Sequence, residues 1–310
     1  MPETKNWRQR WQFLGIPITF LALGWSMWLL WDAGPTITSS WHNIKISGVF
    51  FVLIGSLASA YLTFEIFYLL FNELSPNTYH KKQLANLYFV GQLTKHLPGR
   101  IWSIAYQAAM GEKASLGQWM TVNGFFIVLS IWFALWISGV VLALAWSFFS
   151  AFFIFLLGAN IFYIIWSKST LNILINILSK FNARIFNQVL LGFLYYSKTD
   201  SSVKGRIFTL FLLSWLIYLG CWTGYSWAWP GLSPIDAVWL CAFYTLAWFA
   251  GYISLITPSG LGVRELVFIA LAKDFPPDII TGIAISGRII LLLVDLIFGL
   301  FFIKTLRGRV

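Results

Sequence analysis

Two stretches of this 310-residue chain combine residue types that bind anions. The first is Gly91-Gln92-Leu93-Thr94-Lys95-His96-Leu97-Pro98-Gly99-Arg100-Ile101-Trp102-Ser103. The second is Thr257-Pro258-Ser259-Gly260-Leu261-Gly262-Val263-Arg264-Glu265. Proline removes a backbone donor and glycine costs chain entropy, so Pro98-Gly99 breaks a helix, as do Pro258, Gly260 and Gly262. A helix that restarts after such a break points free N–H groups and a positive dipole end at whatever lies in the gap. Arginine adds a planar fork suited to phosphate or carboxylate. The expected ligand is therefore anionic, most simply a phospholipid or a lipid-linked phosphate. Lys95, Arg100 and Arg264 would hold its phosphate, beside Gln92, Trp102, Ser103 and Glu265. Gly91, Pro98, Gly99, Pro258, Gly260 and Gly262 would shape the breaks. The plainer reading makes both stretches cytoplasmic turns whose arginines meet head groups without specificity. Trp102 likewise reads either as a stacking partner or as an ordinary interfacial anchor.

The elements that must position these residues follow from composition. Hydrophobic residues make up 59% of the chain and charged residues 10%, against roughly 25% charged in a soluble domain. Too little charge is present for an aqueous surface, which excludes a water-soluble enzyme and a disordered chain. Eighteen tryptophans suit a protein with many membrane–water boundaries. Cys221 and Cys241 lie in apolar runs without metal-ligand spacing, and His42, His80 and His96 are scattered, so neither a metal nor any other cofactor is expected. The net charge of +10 comes with no nucleic-acid motif and reads as a topology signal. No phosphate-binding G-x-x-x-x-G-K-S/T loop and no Ser/His/Asp or Cys/His set points to catalysis.

A helix needs about 20 apolar residues to cross the hydrocarbon. Such runs lie near 13–31, 47–71, 118–141, 143–166, 207–228, 236–257 and 279–303, with 118–166 divided near Ser138-Gly139. The fold class is thus all-α, a polytopic integral membrane bundle of about seven or eight spans with two broken or re-entrant segments. No cleavable signal peptide is expected. Lys5, Arg8 and Arg10 place the N-terminus in the cytoplasm, as Lys168 to Arg206 do for the central loop and Lys304, Arg307 and Arg309 for the C-terminus. The loop at Trp229-Pro230-Gly231 and the acidic turn Asp274 to Asp278 read as external, which asks for a further crossing by 258–273. The location expected is a bacterial inner (plasma) membrane. Paired Pro/Gly breaks suggest one domain, 1–310, of two repeat-like halves, about 13–166 and 207–303. The joining segment 167–206 reads as an interfacial amphipathic helix or as an ordinary connector.

Three charges fall inside spans. Glu65 reads as a partner of Lys95 or Arg100, or as a boundary residue. Arg288 and Asp295 lie seven residues apart, on one helix face but too far apart to touch. Each needs a partner elsewhere, with Arg264 or Arg100 expected for Asp295. Glu265 is expected to face away from the site, and either to cap the new helix or to balance a basic residue.

GQLTKHLPGRIWS and TPSGLGVRELV resemble the paired signatures of the lysylphosphatidylglycerol synthase transmembrane (flippase-like) family. The resemblance extends over roughly 10–305. In the second stretch, Ser259-Gly260 stands where a Gly-Gly run is more usual. The resemblance implies a module that moves a lipid between leaflets. With no soluble domain after the last span, aminoacyl transfer is not expected from this chain alone. Translocation of an anionic phospholipid or lipid-linked glycan precursor is the leading expectation. A membrane transferase with Glu65 or Asp295 as its base is the alternative. A third reading is a non-transporting subunit partnered with a glycosyltransferase or synthase.

Overall fold

The computed structural model describes residues 44–75, 79–96, 102–144, 147–165, 169, 173, 192–253 and 262–303. Among these, all regular structure is helical. The helices are α1 Ile46–Leu74, α2 Lys81–Thr94, α3 Trp102–Met110, α4 Leu116–Leu144, α5 Phe148–Ile165, α6 Ser201–Trp227, α7 Pro234–Ile253, α8 Val263–Leu271 and α9 Pro277–Ile303. Five of them, α1, α4, α6, α7 and α9, are long and apolar enough to cross a membrane. They coincide with five of the apolar runs in the sequence. The run 13–31 lies outside the described residues, as does most of 167–206, whose described part is 169, 173 and 192–206, with a helical stretch at 192–198 before α6.

Phe50 and Ile54 on α1, Phe148, Phe149 and Phe153 on α5, and Phe301 on α9 all point outward. Apolar surface on this scale is stable against lipid tails and not against water. The architecture is that of a helical membrane protein.

The division of 118–166 is corrected. Ser138 and Gly139 lie inside α4, which runs on to Leu144, and α5 begins at Phe148. One glycine costs a helix about 1 kcal/mol, far less than exposing an unpaired backbone group to hydrocarbon. The new helix starts where Ser147 Oγ accepts the Ser150 N–H at 3.1 Å. Ser147→Ala should cost about 1 kcal/mol, readable as a lowered unfolding midpoint in detergent.

Long helix, second helix, break, nine-residue helix, long helix: this order occurs in α1–α4 and again in α6–α9. The two sets meet along α1 and α6, which run antiparallel. Lys45 N–H bonds to Ala228 O at one end, and the Ser59 and Ser214 hydroxyls lie 3.0 Å apart farther along. Hydroxyl bonds of this kind hold helices together where lipid supplies no hydrophobic drive. Each set then lends its second helix to the other. α2 packs on α9, and α7 on α4. Phe89 of α2 stacks on Phe298 and Phe302 at 4.4 and 5.0 Å. Phe133 of α4 stacks on Phe211 of α6 at 4.7 Å.

α3 and α8 each have nine residues and are about 14 Å long, too short to cross. α8 folds back beside α7, with Phe268 edge-on to Tyr244 at 5.4 Å. It leads into α9, whose start lies at the C-terminal end of α6, where Tyr225 bonds Ser286. The full crossing expected of 258–273 is thus not made by its described part. The helix returns toward the end of the bundle at which α7 began.

Candidate functional site

α9 organises the site. Arg288 and Asp295 sit near its middle, two turns apart on one face, which is about 10 Å along the axis. Each is tied to a different broken segment.

Asp295 meets the end of α2. Its carboxylate accepts Lys95 Nζ at 3.1 Å on Oδ1 and 2.9 Å on Oδ2. The same Oδ2 lies 2.8 Å from His96 Nε2. The Asp295 side chain is 13% exposed and that of His96 10%, while Lys95 keeps 39%. α2 delivers these two residues because its last turn tightens, with Thr94 Oγ1 donating to Gly91 O at 2.8 Å and His96 N–H to Leu93 O at 3.2 Å. The partner expected for Asp295 is corrected: Lys95 and His96 hold it, not Arg264. Arg100, the other residue named, lies outside the described residues with Pro98, Gly99, Pro258 and Gly260.

Arg288 meets the start of α8. Its Nη1 donates to Glu265 Oε1 at 3.2 Å. The other oxygen, Oε2, accepts the Gly262 N–H at 2.8 Å. Gly262 has φ +80, a left-handed conformation that a side chain would strain. Glu265 therefore both caps α8 and balances Arg288. The expectation that it faces away is corrected, because the first turn of α8 lies directly against α9.

Arg264 is 9% exposed. Its guanidinium carbon lies 4.1 Å from the centre of the Tyr244 ring, a cation–π contact. Tyr244 in turn stacks on Trp222 at 4.7 Å. Among the described residues, no acceptor reaches Arg264 Nη2. Buried arginine nitrogens without an acceptor are costly, and they mark places where an anion fits.

On α3, Trp102 and Ser103 open the helix after the first break. Gly91 faces Ser103 and Gln107: a methyl at its Cα would stand 3.1 Å from Ser103 Oγ and 3.2 Å from Gln107 Nε2. Gln92, beside it, is half-buried. Glu65 pairs with Lys81 at 2.5 Å and not with Lys95, while Arg100, the other partner expected for it, lies outside the described residues. The bond to Glu65 holds the Lys81 ammonium above its ordinary pKa.

Sequence reading passed over Gln107 and Asn123. Gln107 is fully buried, its Oε1 accepts Asn123 Nδ2 at 2.7 Å, and its Nε2 finds no acceptor among the described residues. Two amides inside otherwise apolar runs were the available signal. Tyr244 carried none, being one of 12 tyrosines.

The site thus gathers three permanent cations, Lys95, Arg264 and Arg288, against two carboxylates, Glu265 and Asp295, with the His96 ring against Asp295. Such an arrangement can receive one further anion. No protein-family model, curated protein or solved structure matches this chain.

Proposed function

We propose that the protein moves an anionic phospholipid or a lipid-linked glycan precursor between the leaflets of its membrane. The observation that carries this reading is Arg264, buried at the first turn of α8 with a guanidinium nitrogen unmatched among the described residues. A phosphate there gains a charge-assisted bond and the N–H groups of a helix start. These replace the water that a head group loses on entering hydrocarbon.

Topology supports the same reading. Lys81, Lys82, Lys113, Lys204 and Arg206 gather at the end of the bundle where α2, α4 and α6 begin. Asp236, Asp274 and Asp278 lie at the end where α7 and α9 begin. The positive-inside rule makes the first end cytoplasmic. In that orientation α2–α3 dips in from the cytoplasm and α7–α8 from outside. The described end of α2 and start of α8 flank the middle of α9, an arrangement suited to alternating access. The resemblance of both segments to the lysylphosphatidylglycerol synthase transmembrane family points to the same substrate class. Asp295, the carboxylate that a transferase would need as its base, is occupied by Lys95 and His96, which favours transport over group transfer.

The test is lipid translocation in proteoliposomes carrying a fluorescent phosphatidylglycerol and, separately, a fluorescent phosphatidylcholine. Wild type should speed the anionic probe selectively, and Arg264→Ala should bring it back to the protein-free rate while the fold persists. An Arg264→Ala rate equal to wild type would remove the arginine from the site.

A further inference from the structure

Gln107 is a buried polar side chain that the anion reading leaves unused. It is fully buried on α3, and its Nε2 finds no acceptor among the described residues. A relay of hydrogen bonds fixes the direction of that amide. Trp119 O accepts Asn123 Nδ2 at 2.8 Å, which orients the Asn123 amide. The same Nδ2 donates to Gln107 Oε1 at 2.7 Å. Gln107 must therefore turn its oxygen toward α4 and its NH2 group the other way.

The other way is the seam between α2 and α3. An atom at the Cβ position of Gly91 would lie 3.2 Å from Gln107 Nε2 and 3.1 Å from Ser103 Oγ. The missing side chain leaves those two polar groups facing one small gap. Ser103 and Gln107 are one turn apart on the same face of α3. Ser103 is only half-buried, so the gap opens at its end, toward the start of the helix.

A buried amide without an acceptor costs stability, and an apolar residue would pack there without that cost. The expense points to a ligand atom that meets the donor. The pair carries no charge: a fixed N–H donor stands beside a hydroxyl that can also accept. An alcohol is its complement, because one oxygen accepts from Nε2 and donates to Oγ. An ammonium is repelled by the same donor. A phosphate next to that alcohol falls at the start of α3, where a helix favours an anion.

We propose that Gln107 and Ser103 form a head-group site for hydroxylated lipids, held in register by Asn123. The proposal rests on the translocation reading above and narrows its substrate to lipids whose phosphate is followed by an alcohol, a polyol or a sugar. No covalent bond to the substrate changes.

The experiment compares binding of short-chain phosphatidylglycerol and short-chain phosphatidylmethanol to the full-length protein in detergent. Both are phosphodiester monoanions, and the second lacks head-group hydroxyls. Wild type should bind phosphatidylglycerol about tenfold more tightly, the usual consequence of one buried donor being met or left unmet. Gln107→Leu should lose most of that preference while its phosphatidylmethanol affinity stays at the wild-type value, which also shows that it folds. If Gln107→Leu does not fold, Ser103→Ala decides in the same way. Equal binding of the two lipids by wild type would overturn the head-group site and leave translocation standing. So would a variant that keeps the preference, or one that loses both lipids by the same factor. Binding of neither lipid by wild type would overturn both readings.

Discussion

Glu265→Ala should destabilise the protein by about 3 kcal/mol, the usual cost of leaving a buried ion unpaired. Two bonds are lost at once. Gly262 N–H loses the carboxylate that closes the first turn of α8, and Arg288 loses the acceptor at 3.2 Å. Arg288 is then a mostly buried cation near the middle of α9, with no other carboxylate bonded to it among the described residues. Adding Arg288→Met removes the stranded charge, and stability should return to within about 1 kcal/mol of wild type, as for buried pairs replaced by apolar residues. Glu265→Gln keeps the size and one acceptor oxygen but exchanges the other for an NH2 donor and loses the charge, and should fall between. Unfolding in detergent, followed by tryptophan fluorescence, gives all four values. If Glu265→Ala unfolds with wild type, the pair does not hold α8 to α9.

Gly287→Val should cost about 3 kcal/mol, the upper part of the range for overpacked cores, and should abolish translocation as well. A Cβ at Gly287 would lie 2.4 Å from Tyr244 Oη, 2.8 Å from its Cζ and 2.9 Å from Trp222 Cζ3. Tyr244 has no easy retreat. Trp222 stacks on it at 4.7 Å and Phe268 closes from the edge at 5.4 Å. The ring must move, and Arg264, which rests on that ring, moves with it. Gly287→Ala should cost less but act in the same direction. Gly220→Ala is the control, since no atom lies within 4 Å of its added methyl. It should be neutral or stabilising by up to about 1 kcal/mol. Translocation by Gly287→Val at the wild-type rate would show that Arg264 does not depend on the Tyr244 ring.

Much of the helical frame was legible from local chemistry. The run 47–71 became Ile46–Leu74 and 279–303 became Pro277–Ile303, because a backbone in hydrocarbon must satisfy its own N–H and C=O groups and therefore stays helical along an apolar run. Misreading arose where a local signal was outweighed. Ser138-Gly139 looked like a turn, but the surrounding apolar run kept it helical.

The sequence by itself determined that the chain forms apolar helices of membrane length and that cations cluster beside two Pro/Gly breaks. It also showed that Arg288 and Asp295 share a face and need distant partners. Only the tertiary structure decided who those partners are. Lys95 and Asp295 are 200 residues apart in the chain. Glu65 chose Lys81, and Glu265 turned toward Arg288. Helix formation is governed by neighbours within a turn or two, where residue order carries the information. Ion pairing depends on which helices pack together and at what depth. α9 takes α2 on one part of its length and α8 on another, and that packing sets a carboxylate beside each break.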